Sequence, residues 1–165
     1  MATFRAAAVP FSLAIATFGA AVVWKAANEK QQRALIFTHG TLKEGFPDDR
    51  LLQGMLLTGE ASYHGTYTTL DKFPLMCGPL KVPLLFNFPG SGHRVSGELY
   101  TVTPAALARI DEFEGISKGQ SERLPVEVEP AEGKKKEVFR AEAYYAHRSY
   151  AEEMLKRGDA VVFED

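Results

Sequence analysis

The chain reads LIFTHGTLKEG over residues 35–45, an apolar segment followed directly by a loop that contains two glycines. Residues 35–39 alternate as a buried strand does, and Gly40 and Gly45 permit the sharp turn that has to follow. Such a turn can expose consecutive backbone N–H groups, which suit a carboxylate or an oxyanion. An ordinary strand end would show the same pattern, so this loop alone leaves both interpretations open.

The composition indicates one globular domain with no surface for nucleic acid. A chain of 165 residues can bury a sizeable core. Its 19 basic and 21 acidic residues give a net charge of −2, which excludes the basic footprint of a nucleic-acid-binding protein. Cys77 is the single cysteine and is predicted to be a buried or half-buried structural thiol. The four histidines are too scattered to predict a metal site.

The N-terminal segment, residues 1–30, forms a separate unit in this interpretation. Between Ala6 and Trp24 it contains no charged residue, and this length falls within the ~17–25 residues that span a bilayer as a helix. An uncleaved anchor, a cleaved secretory signal and an organellar presequence all fit. The positive charges after the segment favour a cytosolic or a cytoplasmic-facing, membrane-anchored domain over residues 34–165.

The rest of the chain predicts short strands with few helices. Thr103 is a good N-cap with Pro104 in the first helical position, and Gly115 ends that helix. The turn at residues 89–92 predicts a hairpin between the strands on either side of it. We predict strands at 35–39, 61–70, 82–88, 95–102, 123–128 and 138–146, and helices at 50–55, 104–114 and 149–156. This order predicts an α+β domain, a small mixed β-barrel or sheet with flanking helices.

One carboxylate lies on the wrong face of the helix predicted at residues 104–114. At about 100° per residue, Glu114 shares the apolar face with Leu107, Ile110 and Phe113, and Asp111 lies at the edge of that face. A carboxylate directed at a core must be paired, hydrogen-bonded or protonated. Removal from water raises the pKa of a carboxyl group, which makes a base that works near neutrality. Alternatively, the helix frays here and Glu114 reaches solvent or caps a loop.

Several short motifs occur along the chain in a specific order. They begin with HGTLKEG at residues 39–45 and continue through residues 73–75, 82–85, 88–92, 95–102 and 107–114. Together they resemble the gamma-glutamylcyclotransferase-like (AIG2-like) superfamily and, within it, the gamma-glutamylaminecyclotransferase branch. The similarity spans residues 35–128, with looser agreement to residue 147.

This resemblance implies a fold, a reaction and a set of site residues. The family fold is a small mixed barrel or sheet with flanking helices. The family cleaves a gamma-glutamyl amide to 5-oxoproline and a free amine, and it needs no metal or cofactor. Its loop binds the gamma-glutamyl part of the substrate, a role that falls on His39, Gly40, Thr41 and Leu42. Its catalytic glutamate falls on Glu114, which would act as the general acid and base.

The chain departs from the family pattern in ways that bear on substrate choice. His39 replaces the usual tyrosine and introduces a side chain that ordinarily titrates near neutrality. Asp111 and Glu112 replace two aspartates, and the N-terminal segment lies outside the pattern. We therefore expect a gamma-glutamylamine cyclotransferase acting on a small molecule such as gamma-glutamyl-lysine. A cyclotransferase for gamma-glutamyl-amino acids and a non-catalytic binding module remain alternatives.

Overall fold

The domain consists mainly of strands, and helices lie between some of them. The computed structural model describes residues 33–40, 50–77, 83–131, 137–157 and 161–162. The strands are β1 (Ala34–Thr38), β2 (Ala61–Phe73), β3 (Leu75–Cys77), β4 (Pro83–Leu85), β5 (His93–Val102), β6 (Ser121–Pro130), β7 (Phe139–Ala146) and β8 (Val161–Val162). The α-helices are α1 (Arg50–Leu57), α2 (Pro104–Phe113) and α3 (Arg148–Arg157), and a 3-10 turn covers Ile116–Lys118.

A closed barrel is the centre of the fold. Within the described residues it contains the strands in the order β1-β5-β2-β6-β7, and β1 closes it by pairing in parallel with β7 at Ile36 and Glu142. The other pairs in the barrel are antiparallel. A second sheet has the order β4-β3-β8. The predicted α+β domain with a small barrel and flanking helices is therefore confirmed.

The core divides into clusters because successive side chains of a strand point to opposite faces. Phe37, Leu99 and Tyr145 belong to a cluster that only strands contribute to, and this cluster faces the barrel interior. Their neighbours Ile36, Tyr100 and Tyr144 pack on the other face. There they meet residues of α1 and α2, including Leu52, Met55, Ala106 and Ile110.

Gly97 in β5 has no space for a side chain. A Cβ atom there would lie 2.3 Å from the carbonyl oxygen of Thr38 and 2.5 Å from Cζ of Phe37. Thr38 also donates from its hydroxyl to the carbonyl of Glu98 at 3.4 Å. The glycine therefore allows β5 to approach the last residues of β1, at the point where the chain leaves the barrel for the loop.

The local signals of the sequence agree with the structure. Thr103 is the N-cap of α2, and its hydroxyl accepts a hydrogen bond from the Ala106 N–H at 3.2 Å. Pro104 occupies the first helical position, as predicted. Cys77 is half-buried, as predicted. The first predicted strand is β1, displaced by one residue, so that His39 follows the strand instead of ending it.

The predicted hairpin across residues 89–92 is wrong. β4 pairs with β3, and β5 pairs with β1 and β2, so the turn joins strands of different sheets. The sequence analysis contains no strand over Leu75–Cys77, the segment that forms β3. Once β3 exists, it supplies the antiparallel neighbour of β4, while Phe73 at the end of β2 pairs with His93 at the start of β5.

The hydrophobic segment predicted between Ala6 and Trp24 lies outside the described residues and stays a prediction. In the part of the chain that the structure describes, no helix combines the length and the apolarity that crossing a bilayer requires.

Candidate functional site

The loop predicted to bind substrate begins directly after β1. Gly40 has a φ of +67°, a conformation that favours glycine. A Cβ atom at this position would also lie 3.1 Å from Cγ of Pro83 and 3.3 Å from its carbonyl oxygen. The backbone conformation and the close approach of Pro83 therefore both favour glycine here. Thr41 and Leu42 lie outside the described residues, so their predicted roles stay predictions.

His39 is held by one of its ring nitrogens. Its Nε2 lies 2.9 Å from the carbonyl oxygen of Tyr144. Because a carbonyl only accepts, Nε2 carries the proton, and the Nδ1 of the neutral ring is left as an acceptor. Nδ1 is buried and has no hydrogen-bond partner among the described residues.

Burial lowers the pKa of His39 below its ordinary value, against the opposing effect of the hydrogen bond to the Tyr144 carbonyl. The sequence predicted a side chain that titrates near neutrality, and burial moves this titration to lower pH. At pH 7 the ring is therefore neutral, and it has a fixed tautomer because Nε2 donates to the carbonyl.

Glu114 occupies the C-cap of α2. Its backbone N–H still donates to the carbonyl of Ile110 at 2.8 Å, so the helix has not frayed before this residue. Gly115 follows with a φ of +72°, the left-handed conformation that commonly ends a helix. Glu114 is half-buried. The sequence left open a position in the core and a position in solvent, and the observed exposure lies between the two.

The prediction that Phe113 belongs to the apolar face is wrong. Phe113 is 46% exposed, whereas Ile110 is fully buried. The physical reason is that the helix ends here and the chain turns back. Ile116, from the 3-10 turn that follows, packs against the cluster that contains Ile110.

Asp111, three residues before Glu114, is the acceptor of a side-chain network. The hydroxyl of Tyr144 donates to its Oδ1 at 2.6 Å. Nη1 of Arg123 lies 3.0 Å from both Oδ1 and Oδ2, and Nε of Arg123 lies 3.3 Å from Oε2 of Glu142. The network therefore joins the last turns of α2 to β6 and β7.

Tyr144 and Arg123 were missed by the sequence reasoning. The two residues are partners in the register of β6 and β7, and that register cannot be read from either strand alone. Burial raises the pKa of Tyr144, and the hydrogen bond to Asp111 raises it further, so the hydroxyl remains a donor. Tyr144 thus contacts His39 with its carbonyl and Asp111 with its side chain.

Glu98 is a buried carboxylate on β5. It is 4% exposed, and the hydroxyl of Tyr100 donates to its Oε2 at 2.9 Å. In the register of the barrel it pairs with Thr38, one residue before His39. The sequence reasoning assigned no role to Glu98, although a glutamate on the same strand face as Tyr100 and Val102 is a signal that could have singled it out.

A cavity of about 240 Å³ is lined by Asn87, Phe88, Glu122, Ala146, Arg148 and Ala151. It includes none of the site residues predicted from the sequence.

Comparisons of sequence and of structure relate the chain to the same group of known proteins. The family described as gamma-glutamyl cyclotransferase, AIG2-like, matches residues 36–160. A putative gamma-glutamylcyclotransferase of Arabidopsis thaliana is 49% identical over 74% of this chain and 71% of its own length. The gamma-glutamylaminecyclotransferase of Bos taurus is 43% identical over 61% of this chain, and the match covers 60% of the bovine protein. The crystal structure of an AIG2-like protein from Mus musculus superposes with a TM-score of 0.64 at 32% identity, covering 74% of this chain and 82% of the mouse chain.

Proposed function

Because the chain belongs to the gamma-glutamyl cyclotransferase, AIG2-like family, we propose that it is a gamma-glutamylamine cyclotransferase. In this reaction a gamma-glutamyl amide, such as gamma-glutamyl-lysine, gives 5-oxoproline and a free amine. The observation that carries the proposal is the family match over residues 36–160, which includes both the start of the loop at His39 and Gly40 and the helix end at Glu114. The bovine relative named a gamma-glutamylaminecyclotransferase supports the choice of an amine conjugate as substrate.

We assign Glu114 the role of general base and then general acid. The α-ammonium group of the substrate loses a proton to the Glu114 carboxylate, and the freed amine attacks the γ-carbonyl carbon to close a five-membered ring. The C–N bond of the amide then breaks as the departing nitrogen takes up the proton from Glu114. The ring nitrogen gives its second proton to the Glu114 carboxylate, which passes it to the free amine. Because the attack is intramolecular, the site has mainly to hold the substrate curled and to stabilise the developing oxyanion.

Glu98 is the competing carboxylate, and its surroundings argue against this role. It is 4% exposed, and the hydroxyl of Tyr100 donates to its Oε2, so its carboxyl group is shielded from water. A group that takes a proton from a substrate must be within reach of that substrate. Glu114 is half-buried at a helix end, which suits this requirement better.

His39 and Gly40 begin the part of the loop that receives the glutamyl unit in this proposal. The buried Nδ1 of His39 is an acceptor, so it suits an N–H donor of the substrate better than a carboxylate. The carboxylate or the oxyanion would then be bound by backbone N–H groups of the turn at residues 40–42.

A cyclotransferase for gamma-glutamyl-amino acids is the second candidate. The relative from Arabidopsis thaliana, at 49% identity, is named a putative gamma-glutamylcyclotransferase without reference to an amine conjugate. The two candidates share the ring closure and differ only in the group that leaves.

The experiment compares 5-oxoproline release from gamma-glutamyl-lysine, joined through the side-chain amine, with release from gamma-glutamyl-alanine. We expect faster turnover of the lysine conjugate, and a loss of about 10²–10⁴-fold in kcat for Glu114→Gln. Glu112→Gln is the matched control, because it removes the charge of an exposed neighbour on the same helix. Preference for gamma-glutamyl-alanine would establish the second candidate. Equal rates for Glu114→Gln and Glu112→Gln would remove Glu114 as the base, and release from neither substrate would favour a binding module.

A further inference from the structure

Tyr144 contacts elements that are far apart in sequence. Its carbonyl accepts a hydrogen bond from Nε2 of His39 at 2.9 Å, and its hydroxyl donates to Oδ1 of Asp111 at 2.6 Å. His39 begins the loop after β1, whereas Asp111 lies in the last turn of α2. One residue therefore connects the predicted substrate loop to the helix that ends at Glu114.

Tyr144 is held in place by the pairing of its strand and by the packing of its side chain. It lies in β7, which pairs with both β1 and β6 in the barrel wall. Its side chain is 4% exposed and packs in the cluster that contains Ile36 and Ile110. A side chain held by packing on one side and by hydrogen bonds on the other loses little further freedom when a substrate binds.

Asp111 anchors the helical turn that leads to Glu114. The two residues are three apart, so Asp111 lies about one helical turn before Glu114. Nη1 of Arg123 lies 3.0 Å from both carboxylate oxygens of Asp111, and Tyr144 adds a third hydrogen bond from a different strand. The left-handed Gly115 then fixes the direction in which the chain leaves the helix, so the last turn is anchored on both sides of Glu114.

We infer that Tyr144 is a positioning residue for the reaction proposed above: its hydroxyl, acting through Asp111, sets the place of Glu114 relative to the loop that its carbonyl holds through His39. This inference rests on the proposed function. It matters for rate because a displacement of about 1 Å between a reacting group and its substrate can cost roughly 100-fold.

Tyr144→Phe separates the two contacts. Phenylalanine keeps the ring in its cluster and keeps the backbone carbonyl that holds His39, and it removes only the donor to Asp111. The neighbouring Tyr145→Phe is the matched control, because the Tyr145 hydroxyl is buried without a hydrogen-bond partner among the described residues. Both variants lose one hydroxyl from adjacent positions of the same strand.

The measurement is kcat and KM for 5-oxoproline release, per folded molecule. We expect kcat of Tyr144→Phe to fall by about tenfold or more, with KM changed by less than about threefold, since the loop side of the site is intact. Tyr145→Phe should change neither constant by more than about twofold. A second variant, Asp111→Ala, should also lower kcat. Adding Tyr144→Phe to it should lower kcat no further, because Asp111→Ala has already removed the acceptor of the Tyr144 hydroxyl.

The outcomes separate this inference from the proposed function. If the wild-type protein releases 5-oxoproline and Tyr144→Phe has the same kcat as Tyr145→Phe, the inference is overturned and the proposed function stands. A lower melting temperature of Tyr144→Phe with an unchanged kcat would show a purely structural role and would overturn it as well. No release of 5-oxoproline by the wild-type protein from any gamma-glutamyl conjugate would overturn both.

Discussion

The hydroxyl of Tyr144 donates a hydrogen bond to Oδ1 of Asp111 across 2.6 Å. The same carboxylate faces the guanidinium of Arg123, which is itself 3.3 Å from Glu142. Asp111 therefore accepts from donors on two neighbouring strands, and its hydrogen bonds link α2 to β6 and β7 in addition to the apolar packing of the helix. Its contribution extends beyond a surface ion pair, because one of its partners is the buried Tyr144.

Neutralising Asp111 should destabilise the protein. In Asp111→Asn the amide still accepts from Tyr144, but Arg123 loses one of its two charged partners and keeps Glu142, and one amide N–H₂ group faces a guanidinium. The side chains of Asp111 and Arg123 are 29% and 25% exposed, so we expect a loss of only about 1–2 kcal/mol in the free energy of unfolding. Urea unfolding measures it, with Glu112→Gln as the control for charge on the same helix. Equal midpoints for the two variants would contradict the role of the network.

Stability should depend on pH through His39. Its pKa is lowered in the folded state, so below about pH 6.5 the unfolded chain binds a proton that the folded chain does not. The contribution of the neutral ring is therefore present above pH 6.5 and is lost as the pH falls towards the folded pKa. We expect the difference in unfolding free energy between wild type and His39→Gln to decrease from pH 7.5 to pH 5.5. Other groups titrate alike in both proteins, so parallel curves would show that burial has no effect on this ring.

The ends of a helix could be predicted from the sequence of this domain, whereas strand pairing and side-chain partners could not. Thr103, Pro104 and Gly115 mark the ends of α2 because capping depends on the neighbouring backbone, and the predicted helix agrees with the observed one to within a residue. The pairing of β4 with β3 depends on chain segments that no local pattern relates. The side-chain pattern also predicts which face a residue occupies without identifying what lies opposite. For this reason Asp111 could be placed at the edge of the apolar face, but its partner Tyr144 could not be found.

Substitution of Gly97 should be far more costly than substitution of Gly54. A methyl group at residue 97 would lie 2.3 Å from a backbone oxygen of β1, so the strands must separate, and we expect Gly97→Ala to destabilise by about 3 kcal/mol or more. Gly54 lies inside α1 with no atom within 4 Å of an added Cβ. Gly54→Ala should therefore stabilise by up to about 1 kcal/mol. Thermal and urea unfolding of both variants measure these changes in stability. An unchanged stability of Gly97→Ala would mean that β1 and β5 can separate at little cost in free energy.

His39 is where this chain departs from its family pattern at the loop, and its environment indicates what the exchange alters. The ring uses Nε2 on the Tyr144 carbonyl and leaves Nδ1 as an acceptor, whereas a tyrosine would present a hydroxyl that both donates and accepts. We expect His39→Tyr mainly to raise KM, by about tenfold. We also expect it to change the ratio of kcat/KM between gamma-glutamyl-lysine and gamma-glutamyl-alanine.

His39→Gln is the informative comparison for this change, because its amide can donate to Tyr144 but has no nitrogen acceptor at the position of Nδ1. If Nδ1 binds the substrate, KM should rise in His39→Gln as well, while kcat remains close to that of the wild type. If KM rises in His39→Tyr alone, the size of the new ring is responsible, and the acceptor role of Nδ1 is wrong. An unchanged KM in both variants would place the recognition of the glutamyl unit entirely on the backbone of the loop.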